Sequence, residues 1–214
     1  MATLRFSFGT MGSGKSTLAL QIHHNLALRG LRGVMLTRFD RESSVVSSRL
    51  GVSAPAVEVT PDTDVYELIA ARVRGPGVDF VVADEAQFYE PVQVDQLARL
   101  VDHLGIDVYA FGLLTDFRGR LFPGTARLLE MADERNELHV EARCWCGARA
   151  THNARLVGGR QVYEGEVVLV GDVEGPGPEP QDQLPLGELG ADVTYELLCR
   201  RHWLAGEHSP HIGA

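Results

Sequence analysis

Lysine is almost missing from this sequence. Of the 20 basic residues among 214, 19 are arginine and one, Lys15, is lysine. A coding preference for arginine accounts for the bias and leaves Lys15 conspicuous as a position where arginine would not serve. Positive charge is scarce overall, with 29 acids giving a net charge of −9. That excludes a protein whose main task is gripping nucleic acid or an anionic membrane, because neutralising phosphates needs a basic face. A small anionic ligand stays compatible with it. No apolar run reaches the roughly 18–20 residues of a membrane span, and the start MATLRFSFGT lacks a signal peptide's basic flank and cleavage pattern. No membrane association is expected, and the cytoplasm is the default compartment. The only cysteines are Cys144, Cys146 and Cys199. Three cannot all pair, so a disulfide framework is excluded and another use for them is implied.

What is present is ordinary globular material, 44% hydrophobic and 23% charged, enough for one substantial domain and a small second one at roughly 150 residues per domain. Residues 1–141 alternate short apolar runs with helical segments, the pattern of an α/β domain with a mainly parallel sheet flanked by helices. Strands are expected at Leu4–Phe8, Val34–Leu36, Ala56–Val59, Phe80–Ala83 and Val108–Phe111, most of them continuously apolar, as strands covered on both faces are. Helices are expected from Gly14 to Gly30, across Asp64–Val73, from Pro91 to Gly105, and from Thr125 to about Arg135. Beyond residue 141 a small β lobe is expected over 142–205, with a hairpin formed by Ala150–Val157 and Gln161–Val170 around Gly158-Gly159-Arg160. Residues 173–190 hold four Pro, four Gly, four acids and no basic residue. They read as a flexible insertion, and 206–214 as a frayed tail.

The residues Gly9-Thr10-Met11-Gly12-Ser13-Gly14-Lys15-Ser16 fit G-x-x-x-x-G-K-[ST] between an expected strand and an expected helix. In this context the backbone N–H groups wrap phosphate oxygens, the helix dipole assists, Lys15 reaches the outer phosphates, and Ser16 offers a hydroxyl to Mg²⁺. The fold class is therefore of the P-loop NTPase type, with ATP and Mg²⁺ as cofactors. The strand Phe80–Ala83 ends in Asp84 and Glu85. Asp84 suits the metal side, and Glu85 suits proton removal from an attacking nucleophile, whether an alcohol or water. Cys144-Trp145-Cys146 and Cys199-Arg200-Arg201-His202 supply three thiols and an imidazole, the donor set of a closed structural zinc site, with His152 as a rival fourth ligand.

Several motifs in one order resemble the cellular, type II thymidine kinases: the loop G-x-M-x-S-G-K-S, Asp84-Glu85-Ala86-Gln87-Phe88, Phe111-Gly112-Leu113-Leu114-Thr115-Asp116-Phe117-Arg118, the Cys pair, the late Cys-x-x-His, Ser47-Ser48-Arg49-Leu50-Gly51, and Tyr195 four residues before Cys199. The resemblance spans roughly residues 3–203. It implies transfer of the γ-phosphoryl group of ATP to the 5′-hydroxyl of thymidine or deoxyuridine, in nucleotide salvage for DNA synthesis. It gives Glu85 the role of general base beside Lys15, and it places Asp84, Glu85, Ala86 and Gln87 with the phosphate loop at the nucleotide. Met11, Leu113 and Tyr195 correspond to residues around the thymine ring, and Phe88 and Phe117 to the pocket wall. Val170, Gly171 and Asp172 correspond to the backbone that reads the base edge, and Arg41 to a basic residue near the phosphates. Both Cys/His pairs correspond to zinc ligands, and a homo-oligomer, dimer or tetramer, is implied. The insertion 173–190 departs from the family pattern in the segment ahead of Tyr195. Two other readings of the residues themselves are an ATPase in which Glu85 polarises water, and a zinc-ribbon nucleic-acid module on an ATP-binding scaffold, the latter opposed by the acidic charge.

Overall fold

The computed structural model describes residues 1–38, 45–47, 53–138, 141–167 and 193–209. The chain divides into two units, one of residues 1–115 and 121–141, the other of 116–120 and 142–214. The first unit is built on a six-stranded sheet of β1 (Leu4–Gly9), β2 (Gly33–Thr37), β5 (Val57–Glu58), β6 (Phe80–Ala83), β7 (Asp107–Leu113) and β8 (Glu134–Glu137). Its order is β5-β2-β6-β7-β1-β8 and every pairing is parallel. Helices α1 (Lys15–Ala27), α2 (Val65–Arg74), α3 (Pro91–Leu104) and α4 (Pro123–Met131) make the connections. A short antiparallel pair, β3 (Val45–Ser47) with β4 (Ser53–Pro55), was not foreseen from the sequence.

Local chemistry explains most element ends. Asp64 caps α2 by accepting the N–H of Glu67 at 2.9 Å. The α3 segment begins with Pro91 and closes at Gly105 in the left-handed conformation. The four residues of β6 are wholly buried, as a strand flanked by β2 and β7 and covered on both faces requires. The sequence pattern carries α4 on to about Arg135, but the helix stops at Met131 and Arg135 lies in β8. All four residues of β8 are exposed, so no apolar alternation marks it. It forms because Asp133 and Leu138 donate their N–H groups to the carbonyls of Leu4 and Phe8, and because charged side chains suit a sheet edge.

The parallel order places the C-terminal ends of β1 and β6 on the same edge, with β7 between them. In open α/β sheets this is the edge where ligands bind. The chain beyond β6 enters a 3-10 turn, Ala86–Phe88, against which the start of α4 is packed without a side chain between. A Cβ on Gly124 would lie 2.6 Å from the carbonyl oxygens of Ala86 and Tyr89 and 2.8 Å from that of Gln87. Backbone cannot yield as a flexible side chain does.

The second unit holds an antiparallel sheet, order β10-β9-β11, of β9 (His152–Val157), β10 (Arg160–Val162) and β11 (Val193–Leu198), followed by α5 (Arg200–Ala205). The expected hairpin is present with a tighter turn. Val157 pairs with Arg160, leaving Gly158 and Gly159 as the loop at φ 55 and 73, as a two-residue turn with positive φ at both positions demands. Residues 168–192, which contain the insertion, lie outside the described residues, as do Arg41 and Ser48–Gly51. In the expected tail, the Ser209 N–H donates to both carboxylate oxygens of Glu196 at 3.0 Å. Among the described residues no helix is long and apolar enough to cross a membrane.

The Gly124 contact gives a stability test. Gly124→Ala is expected to destabilise the protein by about 2–3 kcal/mol, read as a lowered denaturant midpoint. An unchanged midpoint would show that α4 moves aside freely.

Candidate active site

The phosphate loop follows from two glycines with positive φ, Gly12 at 70° and Gly14 at 77°. The second caps α1, and no side chain caps the helix there. No acid stands in its first turn either, so the positive end of the helix dipole is left for an anion. Gly9 is required by close approach: a Cβ there would lie 2.5 Å from Ser13 Oγ. Ser13 is buried, and its N–H closes the loop on the Thr10 carbonyl at 3.2 Å. Lys15 is 6% exposed and folds back over the loop, donating to the Thr10 carbonyl at 2.9 Å, with Ser13 Oγ at 3.5 Å. Met11 sits half-buried on the loop.

Asp84 faces this loop. It is 2% exposed, accepts the N–H of Glu85 at 3.0 Å and is hydrogen-bonded to the Ser16 side chain. Burial, and then the adjacent Glu85 charge, push its carboxyl up to about 7 against the pull of Ser16, the Glu85 N–H and Lys15. A buried carboxyl and a hydroxyl in contact form the oxygen-donor set a divalent cation takes. Glu85 is the only non-glycine residue with positive φ among the described residues, at 51°. A left-handed conformation costs a residue with a Cβ about 1–2 kcal/mol, and such strain persists only where the surroundings impose it. Gln87 holds the Glu85 side chain in place. Its Nε2 donates to the Glu85 carboxylate, its Oε1 accepts the Leu113 N–H at 3.0 Å, and it is 1% exposed. Gln87 is therefore a strut between the acid and the end of β7. Ala86 is fully buried beneath it. Phe88 stands edge-on to Phe122 at 5.4 Å and, like Leu113, is only partly buried.

In the second unit, Cys144, Cys146, Cys199 and His202 offer ligand atoms that all lie within 4.8 Å of one another. Cys144 Sγ is 3.2 Å and Cys199 Sγ 3.6 Å from His202 Nδ1, and Cys146 Sγ is 4.0 Å from Cys199 Sγ. A tetrahedron with zinc–sulfur bonds of about 2.3 Å and a zinc–nitrogen bond of about 2.0 Å has edges of about 3.5–3.8 Å, so the four atoms fit one ion. The tight Cys-x-Cys turn is closed by the Gly147 N–H on the Cys144 carbonyl at 2.8 Å, with Gly147 at φ 84. The His202 backbone N–H holds the Cys199 thiol below its ordinary range, while burial raises that of Cys144. The rival ligand His152 is occupied elsewhere, bonded to Thr151 Oγ1 at 2.9 Å and stacked on Trp203. Trp203, one residue beyond His202, donates its indole N–H to the Phe117 carbonyl at 3.1 Å, so the helix that carries His202 also holds Phe117. Tyr195, on β11, is half-buried beside it in this unit.

A family model for thymidine kinase matches residues 2–203. The chain belongs to the thymidine kinase family. It is 54% identical over 204 residues to a thymidine kinase of Streptomyces avermitilis, covering 94% of this chain and 88% of that one. It is 49% identical over 208 residues to one of Cutibacterium acnes, covering 96% and 90%. It is 40% identical over 214 residues to one of Ruegeria pomeroyi, covering 98% of each.

Of the expected site residues, Lys15, Ser16, Asp84 and Glu85 converge at one edge of the parallel sheet, and Met11, Phe88 and Leu113 lie in the same unit. Phe117 and Tyr195 lie together in the other. Val170, Gly171 and Asp172 fall outside the described residues. Gln87, expected at the nucleotide, is a strut to Glu85, and sequence reasoning missed Arg155, which bonds to Tyr195. The one available signal for Arg155 was its place inside the apolar run Ala154–Val157.

Asp84 makes the stability of the ligand-free protein depend on pH. Its folded carboxyl binds a proton that the unfolded one releases near 4, so the ligand-free protein loses stability as pH rises from about 4 to 7. Asp84→Asn is expected to raise the Tm of ligand-free protein by several degrees at pH 8 while abolishing catalysis. The gain should shrink as pH falls toward 4, and a lowered Tm at pH 8 would contradict it.

Proposed function

We propose that the protein transfers the γ-phosphoryl group of ATP to the 5′-hydroxyl of thymidine or deoxyuridine, giving the monophosphate for DNA synthesis. Membership of the thymidine kinase family supports this substrate class. The observation that carries the chemistry is Glu85, in a strained backbone conformation, with its carboxylate held by Gln87 and set beside Asp84 at the edge of the phosphate loop. A carboxylate kept partly exposed there accepts the proton of the attacking alcohol, while Lys15 and the loop N–H groups stabilise charge on the transferred phosphoryl oxygens. Ser16 and Asp84 would hold Mg²⁺, which would supply positive charge to offset that of the phosphates. Lys15 suits this loop because a compact ammonium fits where it lies folded against Thr10 and Ser13, and a planar guanidinium is larger.

Within the first unit, Met11, Phe88 and Leu113 offer partly exposed apolar surface of the kind that covers a nucleobase. Within the second, Tyr195 does so beside the buried ring of Phe117, and with Val170, Gly171 and Asp172 they are the residues the family pattern assigns to the nucleoside. The four-ligand Cys/His cluster would bind a structural zinc ion, which has no open position for chemistry and ties α5, and through Trp203 the Phe117 turn, to the Cys144 loop.

The test is purified protein with ATP, Mg²⁺ and each deoxynucleoside in turn. Thymidine and deoxyuridine should yield monophosphates, whereas ATP hydrolysis indifferent to nucleoside would defeat the kinase reading. Glu85→Gln should bind ATP nearly as the wild type does and lose about 10²-fold or more in kcat; full activity would remove Glu85 from the reaction. Metal analysis of untagged protein should find about one equivalent of zinc, lost in Cys199→Ala together with a raised KM for thymidine. A metal-free protein of full activity would contradict the site.

A further inference from the structure

The largest fully buried side chain among the described residues is a charged one, Arg155 on β9, at 2% exposure. Burying a guanidinium costs several kcal/mol unless its donors are met, so its partners show what it is there to hold. Nε donates to the Tyr195 hydroxyl at 2.7 Å, Nη1 to the Glu166 carbonyl at 2.5 Å and Nη2 to the Val167 carbonyl at 2.9 Å. The flat face of the same group lies over the Phe117 ring, with Cζ 3.9 Å from its centroid, and 5.4 Å from that of Tyr195. Arg155 and Tyr195 are register partners across the β9–β11 ladder, so the contact is built into the sheet rather than reached by a loop.

From this the geometry points to Arg155 as a positioning residue for the nucleoside. It sets the Tyr195 phenol and the Phe117 ring in place from behind and anchors the backbone at 166–167, three residues before Val170. The inference rests on the reading of Tyr195 and Phe117 as nucleoside contacts. Guanidinium has no acceptor. Tyr195 therefore accepts from Arg155, and its own hydroxyl hydrogen is directed elsewhere, which fixes the polarity of the phenol as well as its location. A lysine would keep the charge but could not present three donors in one plane and a flat face to Phe117. None of these contacts touches the phosphate loop, so the effect belongs to the nucleoside and not to ATP.

The experiment is steady-state kinetics on wild type, Arg155→Lys, Tyr195→Phe and the double variant, with the Tm of each recorded. Arg155→Lys should raise the KM for thymidine about tenfold or more, as the loss of charged hydrogen bonds would, while the KM for ATP stays within about twofold. Tyr195→Phe removes only the hydroxyl that Arg155 binds and should raise the same constant; in that background the Arg155→Lys penalty should shrink, because the two side chains act as one unit. Equal shifts in both KM values with a lowered Tm would make Arg155 a structural strut and overturn the inference. So would an unchanged thymidine KM in both single variants, or strictly additive effects. Wild-type protein that makes no thymidine monophosphate would overturn the kinase reading and this inference with it, and is distinct from an active wild type with indifferent variants.

Discussion

The reactive edge of the protein depends on how tightly the chain is gripped just after β6. Backbone from the 3-10 turn at Ala86–Phe88 meets the start of α4 at Gly124 with no room for a Cβ, and a Cβ on Gly112 would lie 2.8 Å from Gln87 Oε1 and 3.0 Å from its backbone nitrogen. Clamped from both sides, the turn leaves Glu85 in a left-handed conformation that a residue with a Cβ avoids when free to choose. The local cost of about 1–2 kcal/mol is borne by packing elsewhere, and the result is a carboxylate with a defined position. Gln87, tied to Glu85 at one end and to Leu113 at the other, turns that position into a fixed one.

Asp84 and Glu85 are neighbours in sequence with different environments, and this separates their chemistry. Asp84 is buried, and its carboxyl is pushed up to about 7 by burial and by the charge next to it. Its ionised form becomes favourable when positive charge is brought beside it. The ligand-free state is thus under electrostatic tension at the place where a cation would relieve it. The second unit uses a comparable economy of parts. Trp203 stacks on His152, lies edge-on to Tyr163 and holds the Phe117 carbonyl. Arg155 holds Phe117 from another side together with Tyr195. His202 of the Cys/His cluster and Trp203, which holds Phe117, are consecutive on one short helix.

Much of this was legible in the sequence where local chemistry decides local structure. The phosphate loop announces itself by glycines at positions of positive φ, β6 by an unbroken apolar run, and α2 and α3 by Asp64 and Pro91 at their starts. What could not be read depends on partners distant in sequence. The β8 strand is entirely polar and exposed and exists through its pairing with β1, so the helical pattern of α4 ran into it unchecked. Arg135, a good helix former, became a strand residue. Gln87 reads as one more polar residue after the acids until Leu113 is brought to it, and Arg155 reads as an interruption of an apolar strand until Tyr195 arrives from 40 positions away. The metal cluster was legible as a donor set, while the exclusion of His152 needed the Trp203 stack.

In the proposed reaction this clamped carboxylate directs phosphoryl transfer to an alcohol rather than to water. The most direct measurement is the fate of the γ-phosphorus of isotopically labelled ATP, followed in one reaction mixture with and without thymidine. Label should appear on the nucleoside 5′-oxygen in one-to-one ratio with ADP formed, and almost none as inorganic phosphate. Label released as inorganic phosphate at the same rate whether or not thymidine is present would contradict it.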